Sequence, residues 1–138
     1  MPQSLLISHK QINSNLEDLL LRLSYFKKEI DKNSLLKLTN LLVRYLRAVK
    51  NKHFLVEEIE LFPSANLNPN DLERLLKDHQ EIYSKLQLLE DNLKIYNHEF
   101  DAKILQEKIL FVAYNLISTI RHHAQREDLM FSYKPRQL

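Results

Sequence analysis

Residues 38–63 read LTNLLVRYLRAVKNKHFLVEEIELFP. Within them Leu38, Leu42, Leu46, Val49, His53 and Glu57 recur every three or four residues, the repeat of one face of an α-helix. A helix that turns those leucines inward also carries an imidazole and a carboxylate inward, because all six share a face. An unpaired carboxylate in a core costs several kcal/mol or shifts its pKa until it is neutral, and a bound cation removes the penalty.

The pattern extends in both directions. Asn33 or Ser34 suits the start of this helix, and Phe62-Pro63 its end, giving a helix over 34–62. Before it, Leu5, His9, Ile12, Leu16, Leu19, Leu20 and Leu23 predict a helix over 3–30, which fades into the polar stretch Asp31-Lys32-Asn33-Ser34. After it, two prolines and three asparagines between Pro63 and Asn70 predict a loop and a fresh helix start. Leu72, Leu75, Leu76, His79, Ile82, Tyr83, Leu86, Leu89 and Leu93 then form the inner face of a helix over 70–96. Leu105, Ile109, Val112, Leu116, Ile120, His123 and Glu127 form that of a fourth over 100–131, with Pro135 beyond its end. Four amphipathic helices joined by short links predict an all-α, up-down-up-down antiparallel four-helix bundle. With 138 residues, 44% of them hydrophobic, the chain suffices for one domain over 1–138.

Composition excludes several classes of function. The chain has no cysteine, so disulfides, thiolate metal sites and thiol catalysis are ruled out, and any metal must take nitrogen and oxygen ligands. It has no glycine, hence no phosphate-cradling loop and no dinucleotide fingerprint. A formal charge of +2 gives no strong field towards nucleic acid or acidic lipid. The opening residues lack the basic and long apolar segments of a secretory signal, and no later stretch has the apolar length of a membrane span. A soluble, cytoplasmic protein without nucleic-acid or membrane partners is expected.

An internal repeat ties the inward polar residues together. Forty-four residues separate His9 from His53, and forty-four separate His79 from His123. Each second histidine has a glutamate four residues on, so the halves superpose at an offset of seventy that also matches Glu58 with Asp128. Axial levels agree. His53 lies nine residues before Phe62 and His79 nine after Asn70, so each stands roughly 13 Å from the same connection. Counts to the other links differ by about one helical turn, and the four histidines converge near one end of the bundle. His123 continues the face of Val112, Leu116 and Ile120, whereas His122 aligns with Asn115, Ser118 and Arg126 as a solvated residue. His98 falls in a link and receives no role.

The segment His53-Phe54-Leu55-Val56-Glu57-Glu58-Ile59-Glu60-Leu61-Phe62-Pro63, with Asp78-His79 and the run from His123 to Asp128, resembles the hemerythrin-like, HHE cation-binding domain family over nearly the whole chain. The resemblance implies two iron ions, oxo- or hydroxo-bridged, with His9, His53, His79 and His123 as terminal ligands and Glu57 and Glu127 as bridges. It implies a protein that binds or senses oxygen or a related small molecule such as nitric oxide. Oxygen-carrying members have a further histidine one turn beyond the third-helix ligand, and Tyr83 occupies that position here. The remaining set is more similar to members linked to iron sensing or to repair of iron centres under nitrosative stress. Repair members also tend to carry a cysteine-bearing N-terminal domain, and this chain has no cysteine. Tyr83 is a hydrogen-bond donor to a bound ligand, a metal ligand, or a core aromatic with a satisfied hydroxyl. Glu58 and Asp128 join it as candidates to support the ligands from behind.

Other readings fit less of the sequence. Ferritin-like carboxylate enzymes use Glu-x-x-His, and none of the six histidines has a glutamate three residues before it. His-Glu-x-x-His, the signature of a zinc hydrolase, is absent. A histidine phosphotransfer bundle acting through His122, or a metal-free interaction bundle, leaves the buried repeat unexplained. The residues favour binding or sensing over catalysis, with redox or peroxide handling at the metals as the alternative.

Overall fold

The computed structural model of the chain describes residues 2–24, 31–96, 98 and 101–132, and among these the side chains from residue 9 to residue 131. Those residues form four long helices and no strand, as the periodicity predicts. Helix α1 is Pro2–Ser24, and the rest of the helix expected over 3–30 lies outside the described residues. Helix α2 runs over 32–64 as a succession of turns: Lys32–Val49 is α-helical, Lys50–Phe54 and Glu57–Leu61 are π-helical, and Phe62–Ser64 returns to α. Helix α3 is Pro69–Tyr96 and helix α4 is Ala102–Ser132.

Three helix boundaries differ from those expected. The α2 cap is Asp31 rather than Asn33 or Ser34, since its carboxylate accepts from the Asn33 backbone N–H at 3.0 Å and the Ser34 hydroxyl at 2.9 Å. Asn33 and Ser34 are thereby drawn into the first turn. At the other end Pro63 does not stop the helix. It enters the first turn of Phe62–Ser64, where a missing N–H is tolerated. The turn that follows uses Asn66 at φ 52°, a left-handed conformation asparagine accepts readily. Asn68 Oδ1 then accepts from the Asp71 N–H at 2.8 Å, with Pro69 opening α3. Asp101 caps α4 through the Lys103 N–H at 3.0 Å and starts it at Ala102, two residues later than expected.

The helices pack as a bundle in which α1 meets α2 and α4, and α3 meets α2 and α4. The main core takes Ile12–Leu23 positions from α1, Leu35, Leu42, Leu46 and Val49 from α2, Ile82, Leu86 and Leu89 from α3, and Leu105, Ile109, Leu116 and Ile120 from α4. Thr39, Val43, Ala113, Ile117 and Ala124 are also buried, whereas Leu38 and Val112 are only partly so. A second, smaller apolar cluster gathers Leu61, Phe62 and Leu75, with Met130 and Phe131 against it. Between the two clusters lies the polar layer of the site. Among the described residues no helix is long and apolar enough to cross a membrane.

Candidate metal centre

The polar layer collects all six inward histidines and glutamates. His9 comes from α1, His53 and Glu57 from the π-helical part of α2, His79 from α3, and His123 and Glu127 from α4. All six are buried, Glu57 and His79 at 0% exposure. They form two groups whose ligand atoms lie within 4.8 Å of one another: His9, His53, Glu57 and Glu127, and His79, His123, Glu57 and Glu127. Both glutamates belong to both groups.

The local winding of α2 helps to make this possible. His53, Glu57 and Leu61 follow one another at intervals of four residues, and in an α-helix each interval overshoots a full turn by about 40°. In the π turns the Leu55 N–H bonds the Lys50 carbonyl and the Phe62 N–H bonds the Glu57 carbonyl, so each turn takes in an extra residue and offsets the drift. Periodicity alone gave no sign of this.

The carboxylates are arranged to serve both halves. Glu127 Oε1 lies 3.3 Å from His9 Nε2, and its Oε2 lies 2.9 Å from His123 Nε2. Glu57 Oε2 lies 3.6 Å from His9 Nε2, while its Oε1 lies 3.5 Å from His53 Nε2 and 3.2 Å from His79 Nε2. Yet His9 Nε2, His53 Nε2, both Glu57 oxygens and Glu127 Oε2 are buried without a hydrogen-bond partner. Buried polar atoms are almost always satisfied, so a cluster of orphans pointing at common centres is what a cation would complete. The His79 and His123 Nε2 atoms stand 2.9 Å apart, close to the ~3 Å between two adjacent nitrogens bound to one ion at ~2.1 Å.

The hemerythrin HHE cation binding domain matches residues 5–133. The chain belongs to the hemerythrin HHE cation-binding family. No curated protein and no solved structure matches it. As a member of a metal-binding family, this hemerythrin-like chain has buried groups of the right kind to hold a cation.

Behind the hemerythrin-like cluster a layer of carboxylates holds the outer ring nitrogens. His9 Nδ1 is 2.9 Å from Asp128 Oδ1, His79 Nδ1 is 2.8 Å from Glu58 Oε2, and His123 Nδ1 is 3.1 Å from Asp78 Oδ2. Such a partner fixes the ring and directs its other nitrogen inward. Glu58 and Asp128 are the pair that the seventy-residue offset matches. Asp78 has no acidic counterpart in the repeat; it precedes His79 in sequence but serves His123 across the interface, a relation that only packing reveals. Tyr83 donates its hydroxyl to Glu58 Oε2 at 2.5 Å, the same oxygen that holds His79 Nδ1. Burial and the Glu58 carboxylate hold that phenol well above its ordinary pKa.

The protonation pattern follows from the same contacts. Burial opposes charge on His9, but Glu127, Glu57 and Asp128 outweigh it and raise its pKa to about 10. Burial is likewise overcome on His123 by Asp78, Glu127 and Glu57, giving about 11. His53 has no such partner on Nδ1, and burial lowers it to about 4. Burial disfavours the Glu57 anion, yet His123, His79 and His9 drive its pKa far down. Burial dominates at Glu127 and raises its pKa. His122 is exposed and lines a groove of about 1170 Å³ on the outer side of α4 with Leu21, Lys85, Phe111 and Tyr114. His98 is exposed as well, away from the ligand groups.

Proposed function

We propose that this chain is a cytoplasmic, non-haem di-iron protein that binds or senses oxygen or a related small molecule such as nitric oxide. The observation that carries the reading is the pair of buried ligand groups sharing Glu57 and Glu127. Two imidazoles for each position and two shared carboxylates suit a pair of ions better than one. His9 and His53 would hold one iron, His79 and His123 the other, and Glu57 and Glu127 would bridge them. Imidazole and carboxylate donors without thiolate suit iron, which when bound supplies one-electron redox chemistry and open coordination positions.

The chain's own residues account for the rest. Glu58, Asp78 and Asp128 orient three of the imidazoles. Phe54, Phe62 and the apolar clusters above and below keep bulk water and large solutes away. Complete burial of His79 and Glu57 favours a ligand of a few atoms. Short links and the shared level of the ligands support an up-down-up-down antiparallel order of α1 to α4 within one domain. The buried ligand groups favour binding or sensing over turnover, with redox or peroxide handling as the catalytic alternative. Phosphotransfer through His122 finds no support in the buried cluster.

The test is to load the metal-free protein with ferrous iron without air, measure iron per chain, and follow the visible spectrum through air exposure and reduction. Two irons per chain, with absorption bands that bleach on reduction, are expected. A stable adduct in air would favour oxygen binding, and direct oxidation would favour sensing or redox work. Absence of stoichiometric metal would overturn the reading.

A further inference from the structure

The two halves of the site are related by an offset of seventy residues, but their supports are unequal. Behind His79, Glu58 Oε2 receives both the ring contact and the Tyr83 hydroxyl. Behind His123, Asp78 is gripped by Arg126 Nη1 at 2.5 Å. Each of these imidazoles therefore leans on a carboxylate that is itself held by another side chain. Behind His9 stands Asp128, whose side chain is 43% exposed. Behind His53 stands no hydrogen-bond partner: its Nδ1 is buried and unpaired. The offset matches Asp78 with position 8, which is serine and has no charge to lend.

Resting on the di-iron reading above, we propose that the two metal positions are unequal by construction: the His79/His123 position holds its ion tightly, and the His9/His53 position exchanges its ion readily. Carboxylates behind a ligating imidazole fix its tautomer and orientation and strengthen it as a donor. Loss of one such partner costs about 10–100-fold in metal affinity. The His79/His123 position has two such partners, both anchored. The opposite position has one, partly exposed. Glu57 and Glu127 are common to both positions and cannot create the difference. The chain should thus pass through a one-metal state as metal rises, filling His79/His123 first.

The experiment is an anaerobic titration of the metal-free full chain with ferrous iron against a competing chelator, with bound metal as the readout. Two classes of site, one ion each and about 10–100-fold apart, are expected. His53→Gln fills much of the same space and should keep the tight ion while losing the weak one. Asp78→Asn should weaken the tight class by a similar factor and bring the two together. Circular dichroism identifies any variant that fails to fold, and the wild-type titration with either folded variant is sufficient. Two ions that bind with indistinguishable affinity, or a His53→Gln chain that loses the tight ion, would overturn the inference while leaving the di-iron reading intact. A wild-type chain that takes up no stoichiometric metal would instead overturn the di-iron reading, and this inference with it.

Discussion

Tyr83 stands one turn beyond His79, facing the same interior, yet its hydroxyl is committed to Glu58. A side chain so engaged is expected to support a ligand rather than to become one. Tyr83→Phe should therefore leave metal content unchanged and cost about 1 kcal/mol of stability, checked by elemental analysis and urea unfolding; a lost ion would make the phenol a ligand. Protons give a second residue-scale prediction. In the metal-free protein His9 and His123 titrate at about 10 and 11, above the ordinary 6.5. Their contribution to the stability of the metal-free fold is complete below pH 6.5 and is lost as pH rises through about 10 and 11. Metal must displace these protons, so uptake at neutral pH should release protons and strengthen as pH rises. Calorimetric titration in buffers of different ionisation enthalpy measures the release; a buffer-independent heat would contradict it. The six inward residues were legible because helical phase and the repeat both singled them out. Asp78 was not, because it supports a histidine on another helix and, unlike Glu58 and Asp128, has no acidic counterpart in the repeat, its match being Ser8.

At the scale of the element, apolar periodicity located all four helices but neither their winding nor every cap. Asp31 opens the polar stretch between the first two helices, and only its bonds to Asn33 and Ser34 show it to be the cap of α2. The π turns at Lys50–Phe54 and Glu57–Leu61 leave no mark on the pattern, because three-or-four spacing is compatible with an unbroken α-helix. Gln106 illustrates a different blind spot. It is polar within the buried face of α4, and its Nε2 donates to the Leu23 carbonyl of α1 at 2.9 Å. Sequence pattern offers no way to find such a cross-helix bond. Gln106→Ala should remove the donor from a buried carbonyl and cost about 1–2 kcal/mol. Because Gln106 lies far along α4 from His123 and Glu127, bound metal per chain should stay the same; a parallel loss of metal would tie this contact to the site.

Across the whole molecule the ligand layer separates the large core from the small cluster of Leu61, Phe62 and Leu75. On α3 the order is Leu75, His79, Ile82, and on α4 it is Ile120, His123, Glu127, Met130, so the same apolar–polar–apolar sequence recurs on separate helices. The small cluster has two tasks: to bury apolar area and to close one side of the centre. Leu75 is fully buried there and Leu89 fully buried in the main core. Replacing either by alanine should cost about 2–5 kcal/mol. Their effects on metal release should differ, because only Leu75 closes the layer next to His79. Loaded with iron and challenged with a chelator under native conditions, Leu75→Ala should release metal faster than Leu89→Ala at matched stability. Equal release rates would mean that metal escapes through global unfolding, and that the small cluster contributes stability but no barrier.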